Sequence, residues 1–179
     1  MGLHGGHTTF LDPNEMKKKK EKLEKVTHQP VYGYRNHYLR FNVPTTWKYL
    51  SQAGFRYDTT CAFADCIGFR NGMCHPYRPF DLTANQEIDI LEIPLIIMDR
   101  TLGSTHMRLN TNESWDVISY LIDQVEKCHG VCTILWHNEA MFGADLALYE
   151  KILHYCHKKN AWMTSGEHIL PWWKKNVKD

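Results

Sequence analysis

His137 directly follows the apolar run 131–136 and is backed by Asn138 and Glu139. A histidine at the exit of a buried strand is held by the sheet yet reaches the mouth of any pocket there. Imidazole also exchanges protons near neutral pH, so this placement suits a general acid–base group. The plainer alternative is a core-edge histidine with a structural hydrogen bond. His4-Gly5-Gly6-His7 opens the chain, and two imidazoles on a glycine-bent loop can share one metal ion. Asp12 is the only acidic group near them in sequence. Arg35, His37 and Tyr38 surround a short extended segment. Asp65, Arg70, Arg78 and Asp81 lie among Phe69, Tyr77 and Phe80 in a long segment rich in Gly and Pro. Aromatic faces beside fork-shaped charged groups suit sugar rings and carboxylates. The same residues could equally form an Arg–Asp network that pins the loop.

The elements that must position these groups alternate between strands and helices. Asp12-Pro13-Asn14-Glu15 reads as a helix start: Asp12 caps, Pro13 suits the first helical position, and Glu15 can reach back. Met16, Leu23 and Val26 are expected on one face, and the lysine run 17–20 on the solvated face. Residues 35–41 read as extended. Pro44 opens a helix that turns Trp47 and Leu50 inward, and Gly54 ends it. Residues 55–58 read as a short strand, and 65–81 as an irregular loop. The run 88–98 reads as one strand buried on both faces, as does 131–136. Between them Trp115, Ile118, Ile122 and Val125 keep helical spacing, which Gly130 stops. Leu146, Tyr149, Leu153 and Cys156 mark another helix. A last short strand is expected over 161–164, then a helix capped by Ser165 and kinked or restarted at Pro171. This order predicts a mainly parallel sheet wrapped by helices, either open or closed as a barrel. In such folds ligands bind at the carboxyl ends of the strands.

Composition narrows the partners. The chain has 179 residues and a formal net charge of +1, which suits one domain and gives no electrostatic reason for nucleic-acid binding. No apolar stretch approaches the roughly 20 residues of a membrane span. The Gly/His-rich opening is not a signal peptide, so a cytoplasmic location is expected for the chain as it stands. The six cysteines form no CxxC pair and read as reduced, mostly buried thiols.

Several segments together resemble the polysaccharide deacetylases, the NodB-like carbohydrate esterase family 4 group. Residues 2–6, Gly-Leu-His-Gly-Gly, are similar to that family's metal-binding histidine motif, and 35–38, Arg-Asn-His-Tyr, to its Arg motif. The stretch 53–60 resembles its glycine-aromatic, Tyr-Asp-Ser-Ser segment, and Leu91-Glu92-Ile93-Pro94 its Leu-Glu-Ile-Pro strand. Leu135-Trp136-His137-Asn138 looks like its last motif, and 161–164 with Trp172-Trp173 like its closing strand and helix. The resemblance implies a distorted or incomplete (β/α) barrel over a single domain, 1–179. It implies a carbohydrate substrate and a divalent metal, zinc foremost, that polarises an acetamide carbonyl and activates water. In that scheme His4 and His7 bind metal and His137 protonates the departing amine. Arg35 borders the reacting centre, and Tyr38, Asp65, Arg70 and Arg78 contact substrate.

Two departures from the family pattern stand out. The family's Asp-Asp motif lies upstream of its first histidine, and this chain begins after that point. The family's paired histidines stand four apart, whereas Thr8 occupies the fourth position after His4, and His7 is three away. Weak metal loading and little hydrolysis are therefore expected of the chain alone. Three readings stay open: the carboxyl-terminal part of a working deacetylase, a carbohydrate-binding relative without hydrolysis, or an interaction protein. Loss of the first strands would leave sheet edges unpaired, which predicts homo-oligomers through those edges.

Overall fold

The computed structural model describes residues 1–103 and 105–176. In chain order its strands are β1 (Gly2–His4), β2 (Gly33–Arg35), β3 (Tyr57–Asp58), β4 (Phe80–Asp81), β5 (Gln86–Glu87), β6 (Leu91–Glu92), β7 (Leu95–Met98) and β8 (Thr133–Leu135). Its helices are α1 (Pro13–Thr27), α2 (Thr45–Gln52), α3 (Asp99–Leu102), α4 (Thr111–Lys127), α5 (Gly143–Lys158) and α6 (Gly166–Asn176). The chain divides into two compact units. The first comprises Met1–Cys61, Pro76–Ile93 and the segment from Ser165 onward, and the second Ala62–His75 and Pro94–Thr164.

The first unit is built on a parallel sheet in the order β1-β2-β3-β6. Asp12 caps α1, accepting from the Asn14 and Glu15 amides at 2.8 and 3.2 Å, an interaction typically worth about 1 kcal/mol. Glu15 pairs with Lys19 one turn on and does not close a capping box. Met16 is fully buried in the core with Val31, Tyr34, Trp47, Leu50 and Phe55. Val26, expected on the same face, is 70% exposed because the apolar stripe of this lysine-rich helix is only one residue wide near its end. After Gln52, Gly54 takes φ +81°, a backbone region that costs a side-chain-bearing residue energy, and the chain turns into β3.

Three sequence expectations change here. The segment 35–41 is not one extended piece: β2 ends at Arg35 and a 3₁₀ turn covers His37–Leu39. The run 88–98 is two strands, because Pro94 has no N–H for a ladder. β6 closes the sheet of the first unit, and β7 starts that of the second. The segment 65–81 is only partly irregular. Tyr77 exchanges both backbone bonds with Glu92 at 2.9 and 3.0 Å, and β4 pairs antiparallel with β5.

The second unit pairs β7 with β8 in parallel, flanked by α4 and α5. Asn110 and Glu113 form a reciprocal capping box on α4, and Ile118, Leu121, Ile122 and Val125 face the core. On α5 the fully inward positions are Leu148, Ile152 and Cys156. The spacing 146-149-153 is rotated by a fraction of a turn, and those three residues are half-buried. β8 is half-buried along its length, not covered on both faces, and 161–164 form no strand, so β8 has β7 as its one partner among the described residues. Helix α6 runs through Pro171, with Ser165 accepting from the His168 and Ile169 amides through its carbonyl. The strands are mainly parallel, and no closed barrel is formed among the described residues, as an incomplete barrel requires.

Gly33 and Gly166 share one constraint. A Cβ on Gly33 would stand 2.2 Å from the Tyr57 ring, and one on Gly166 would stand 2.6 Å from it. Tyr57 is 7% exposed, so its ring cannot simply swing to solvent. Gly33→Ala is expected to destabilise the protein by about 1–3 kcal/mol in chemical denaturation. The double variant Gly33→Ala/Tyr57→Ala should cost less than the sum of the singles. Additive costs would show that the ring is not the obstacle.

Candidate functional site

Because β1, β2, β3 and β6 run parallel, their carboxyl ends bring polar residues to one edge. His4 is in register with Arg35, Tyr34 with Asp58, and Asp58 with Glu92. Past the strand ends, His4 Nε2 lies 3.2 Å from His37 Nδ1. The His37 ring stacks edge-on against Tyr38 at 4.4 Å, and the His7 ring meets Tyr38 at 5.4 Å. Tyr38 holds φ 57° and leaves 71% of its surface exposed. Gly5 permits this crowding. Its amide donates to the Arg35 carbonyl at 2.8 Å, and a Cβ there would stand 2.0 Å from the Tyr34 hydroxyl. His4, His7, Arg35 and Tyr38 thus share one end of the first unit, and His37 lies between them.

Beneath this edge lies a buried polar network. Asp58 and Glu92 have no solvent exposure. The Thr60 hydroxyl and amide donate to Asp58 at 2.7 and 3.1 Å. Trp47 Nε1–H donates to Glu92 at 2.7 Å, and the Cys61 amide at 3.3 Å. Arg35 Nε–H donates to the hydroxyl and carbonyl of Thr59 at 2.8 and 3.1 Å. Burial pushes Asp58 up to about 6, against the hydrogen bonds from Glu92 and Thr60 and the charge of Arg35. Burial, then the charge of Asp58, pushes Glu92 well above the carboxylate range. Near neutral pH one proton is therefore held between them, on Glu92, and Asp58 carries the charge that faces Arg35.

In the second unit β7 and β8 deliver a dyad. Met98 is in register with Leu135, so Asp99 and His137 emerge side by side from neighbouring parallel strands. Asp99 Oδ2 accepts the His137 backbone amide at 3.0 Å, and Oδ1 meets His137 Nδ1 at 2.7 Å. Asp99 is 9% exposed, and the His137 side chain 38%. A carboxylate on Nδ1 fixes the ring's orientation and leaves Nε2 as the proton-exchanging atom. Arg100 and Glu139 form an ion pair beside it. A cavity of about 180 Å³, lined by Asp99, Leu102, Ser114, Trp136, Asp145 and Leu148, adjoins Asp99.

The remaining sequence candidates have other partners. Arg70 donates to the Ala62 carbonyl at 2.7 Å, and Asp65 is exposed beside Cys66. Arg78 pairs with Asp89 and lies with Arg56 and Trp173 at the amino ends of β3 and β6, opposite the histidine edge of that sheet. Asp81 is bound by Lys48, not by an arginine. Sequence reasoning did not select Asp99, Asp58 or Glu92. The signal available for Asp99 was its place at the exit of an apolar run, matching that of His137.

A catalytic zinc ion rests on three protein ligands plus water. Among the described residues no group of three His, Cys, Asp or Glu side chains has the geometry to hold a metal. His4 pairs with His37, while His7 turns to Tyr38, so the expected pairing of His4 with His7 is not formed. The donor set does not fit the implied ion.

No family model and no curated protein matches the sequence. A solved structure described as a "putative polysaccharide deacetylase" from Mycobacterium smegmatis superposes with a TM-score of 0.68 at 18% identity. The match covers 97% of this chain and 62% of that one, so the chain spans less than two thirds of that protein's length. The likeness is one of fold: this chain has an α/β fold of the polysaccharide-deacetylase type. No helix among the described residues is long and apolar enough to cross a membrane.

The buried pair fixes a pH dependence. The folded state holds protons on Asp58 and Glu92 that the unfolded chain, with ordinary carboxyls, releases near pH 4. Folded molecules then bind more protons than unfolded ones, so this pair's contribution to stability falls as pH rises from about 4 through 6 and beyond. Glu92→Gln keeps an acceptor for Trp47 and cannot ionise. Its loss of unfolding free energy between pH 5 and pH 8 should be smaller than that of the unaltered protein. Equal losses in both proteins would remove Glu92 from the account.

Proposed function

We propose that this chain acts as a hydrolase that removes acetyl groups from a carbohydrate. The Asp99–His137 dyad, carried in a fold of the deacetylase type, is the observation that supports the reading most directly. Acetamide hydrolysis adds water to the carbonyl carbon and then breaks the C–N bond, and the amine must gain a proton to leave. His137 Nε2 takes up and delivers that proton. Asp99 holds Nδ1–H and offsets the imidazolium charge while the extra proton is on the ring. Within the first unit by itself, the exposed Tyr38 ring offers a stacking face for a sugar.

A second reading is favoured by one observation. The described residues supply no three-ligand metal cluster, which suits a protein that binds acetylated carbohydrate without cleaving it. The two readings separate in one assay. Acetate release from N-acetylated chitooligosaccharides is measured with and without added zinc, alongside binding of the same oligosaccharides. Hydrolysis that falls by about 10²–10⁴-fold in His137→Ala, with a similar fall in kcat but not KM for Asp99→Asn, is expected. Release unchanged by His137→Ala would overturn the role given to the dyad. Binding without release by the unaltered protein would establish the second reading.

A further inference from the structure

The cavity beside Asp99 lies wholly within the second unit, between the starts of α4 and α5 and the exit of β8. Its volume of about 180 Å³ far exceeds the roughly 10–15 Å³ that one water needs, so it admits a ring-sized ligand. Leu102 and Leu148 are 5% and 6% exposed and make an apolar floor with Trp136. Trp136 Nε1–H donates to the Ala140 carbonyl at 3.4 Å, and its ring packs against Tyr149 at 5.3 Å, so the indole is held in place. Ser114 lines the cavity and is 3% exposed, yet its hydroxyl has no hydrogen-bond partner among the described residues. It is not needed as a helix cap, because Asn110 already accepts from the Asn112 and Glu113 amides. Among the described residues no enclosed side-chain polar atom lacks a partner, so the Ser114 hydroxyl must open into the cavity. Asp145 stands exposed at the rim, and no ion pair or hydrogen bond among the described residues engages its side chain. Arg100 is spent on Glu139, and Asp99 on His137. The charge left over at the rim is negative, which favours a cation and works against an acid.

We propose that this cavity binds one sugar unit carrying a protonated amine, the kind of amino sugar that deacetylation leaves behind. The assignment takes its ligand class from the carbohydrate reading above, and its residues from the cavity alone. The C–H face of the sugar ring packs on Trp136 and Leu148, as apolar sugar faces do on aromatic and aliphatic side chains. A ring hydroxyl exchanges a hydrogen bond with the Ser114 hydroxyl, which is otherwise unpaired. The ammonium pairs with Asp145, a charge-assisted contact that an acetylated nitrogen cannot make. A sugar acid meets Asp145 as a like charge and is rejected. Because the cavity adjoins Asp99, a polymer anchored here by a deacetylated unit keeps its neighbouring units near His137.

Glucosamine, N-acetylglucosamine and glucuronic acid are titrated into the intact protein at slightly acid pH, and binding is mapped by heteronuclear NMR. Glucosamine is expected to shift the Ser114 amide and the Trp136 indole N–H and to bind severalfold more tightly than N-acetylglucosamine, with glucuronic acid weakest. Asp145→Asn should erase the preference for the amine, and Ser114→Ala should weaken both neutral and amine-bearing sugars. Ala144→Leu fills the cavity from an exposed helical position at its rim and should block binding without touching the core. Equal affinity for the free and acetylated amine would overturn the proposal, as would shifts confined to residues outside the cavity or a preference that survives Asp145→Asn. Acetate release measured on the same samples separates this site from the hydrolase reading. Release without binding in the cavity removes the site and leaves the hydrolase, and binding in the cavity without release keeps the site and removes the hydrolase.

Discussion

Asp58 and Glu92 lie side by side on adjacent parallel strands with no water contact, an arrangement that two ordinary carboxylates could not sustain. Each neighbour answers that cost. Trp47 spends its only side-chain donor on Glu92, Thr60 spends its hydroxyl and amide on Asp58, and Tyr77 closes the far backbone edge of Glu92. Arg35 supplies positive charge at the same end of the sheet. These contacts tie α2, β2, β3, β6 and the stretch around Tyr77 to one point. The histidine edge above can stay open because the layer beneath it is fully satisfied.

The second unit solves a smaller problem with one side chain. Asp99 directly follows β7 as the first residue of α3, and His137 follows β8 with one residue between. Parallel register alone brings them together, and the two oxygens of Asp99 then fix both the main chain and the ring of His137. A general acid–base group needs that kind of support to hold one tautomer and one orientation.

Much of this was legible in the residues. Asp12 before Pro13, Trp47 and Leu50 on one helical face, and His137 after an apolar run each mark what they form. What stayed hidden depends on contacts between distant segments. Leu91-Glu92-Ile93-Pro94 reads as the middle of a long strand, and only the pairing of β6 with β3 shows that the strand stops there. Glu92 looks like a charge in an apolar run until Trp47, 45 residues away in sequence, is seen to donate to it. Residues 161–164 have a strand-like composition, yet no strand forms there, because β-propensity yields to its surroundings. The rotation of the inward face of α5 by part of a turn, from 149 to 148 and from 153 to 152, is the usual margin of a helical pattern read without its neighbours.

Asp99 binds the His137 main-chain amide as well as the imidazole, so the two contacts share one carboxylate. Anything that draws Asp99 away from the ring also uncovers that single N–H. Its exchange with solvent deuterium is therefore a local gauge of whether the dyad is assembled, readable by NMR or mass spectrometry without a substrate and without altering the imidazole. A bound sugar that engages the ring while Asp99 stays in place would slow the exchange further, and one that competes for the carboxylate would speed it.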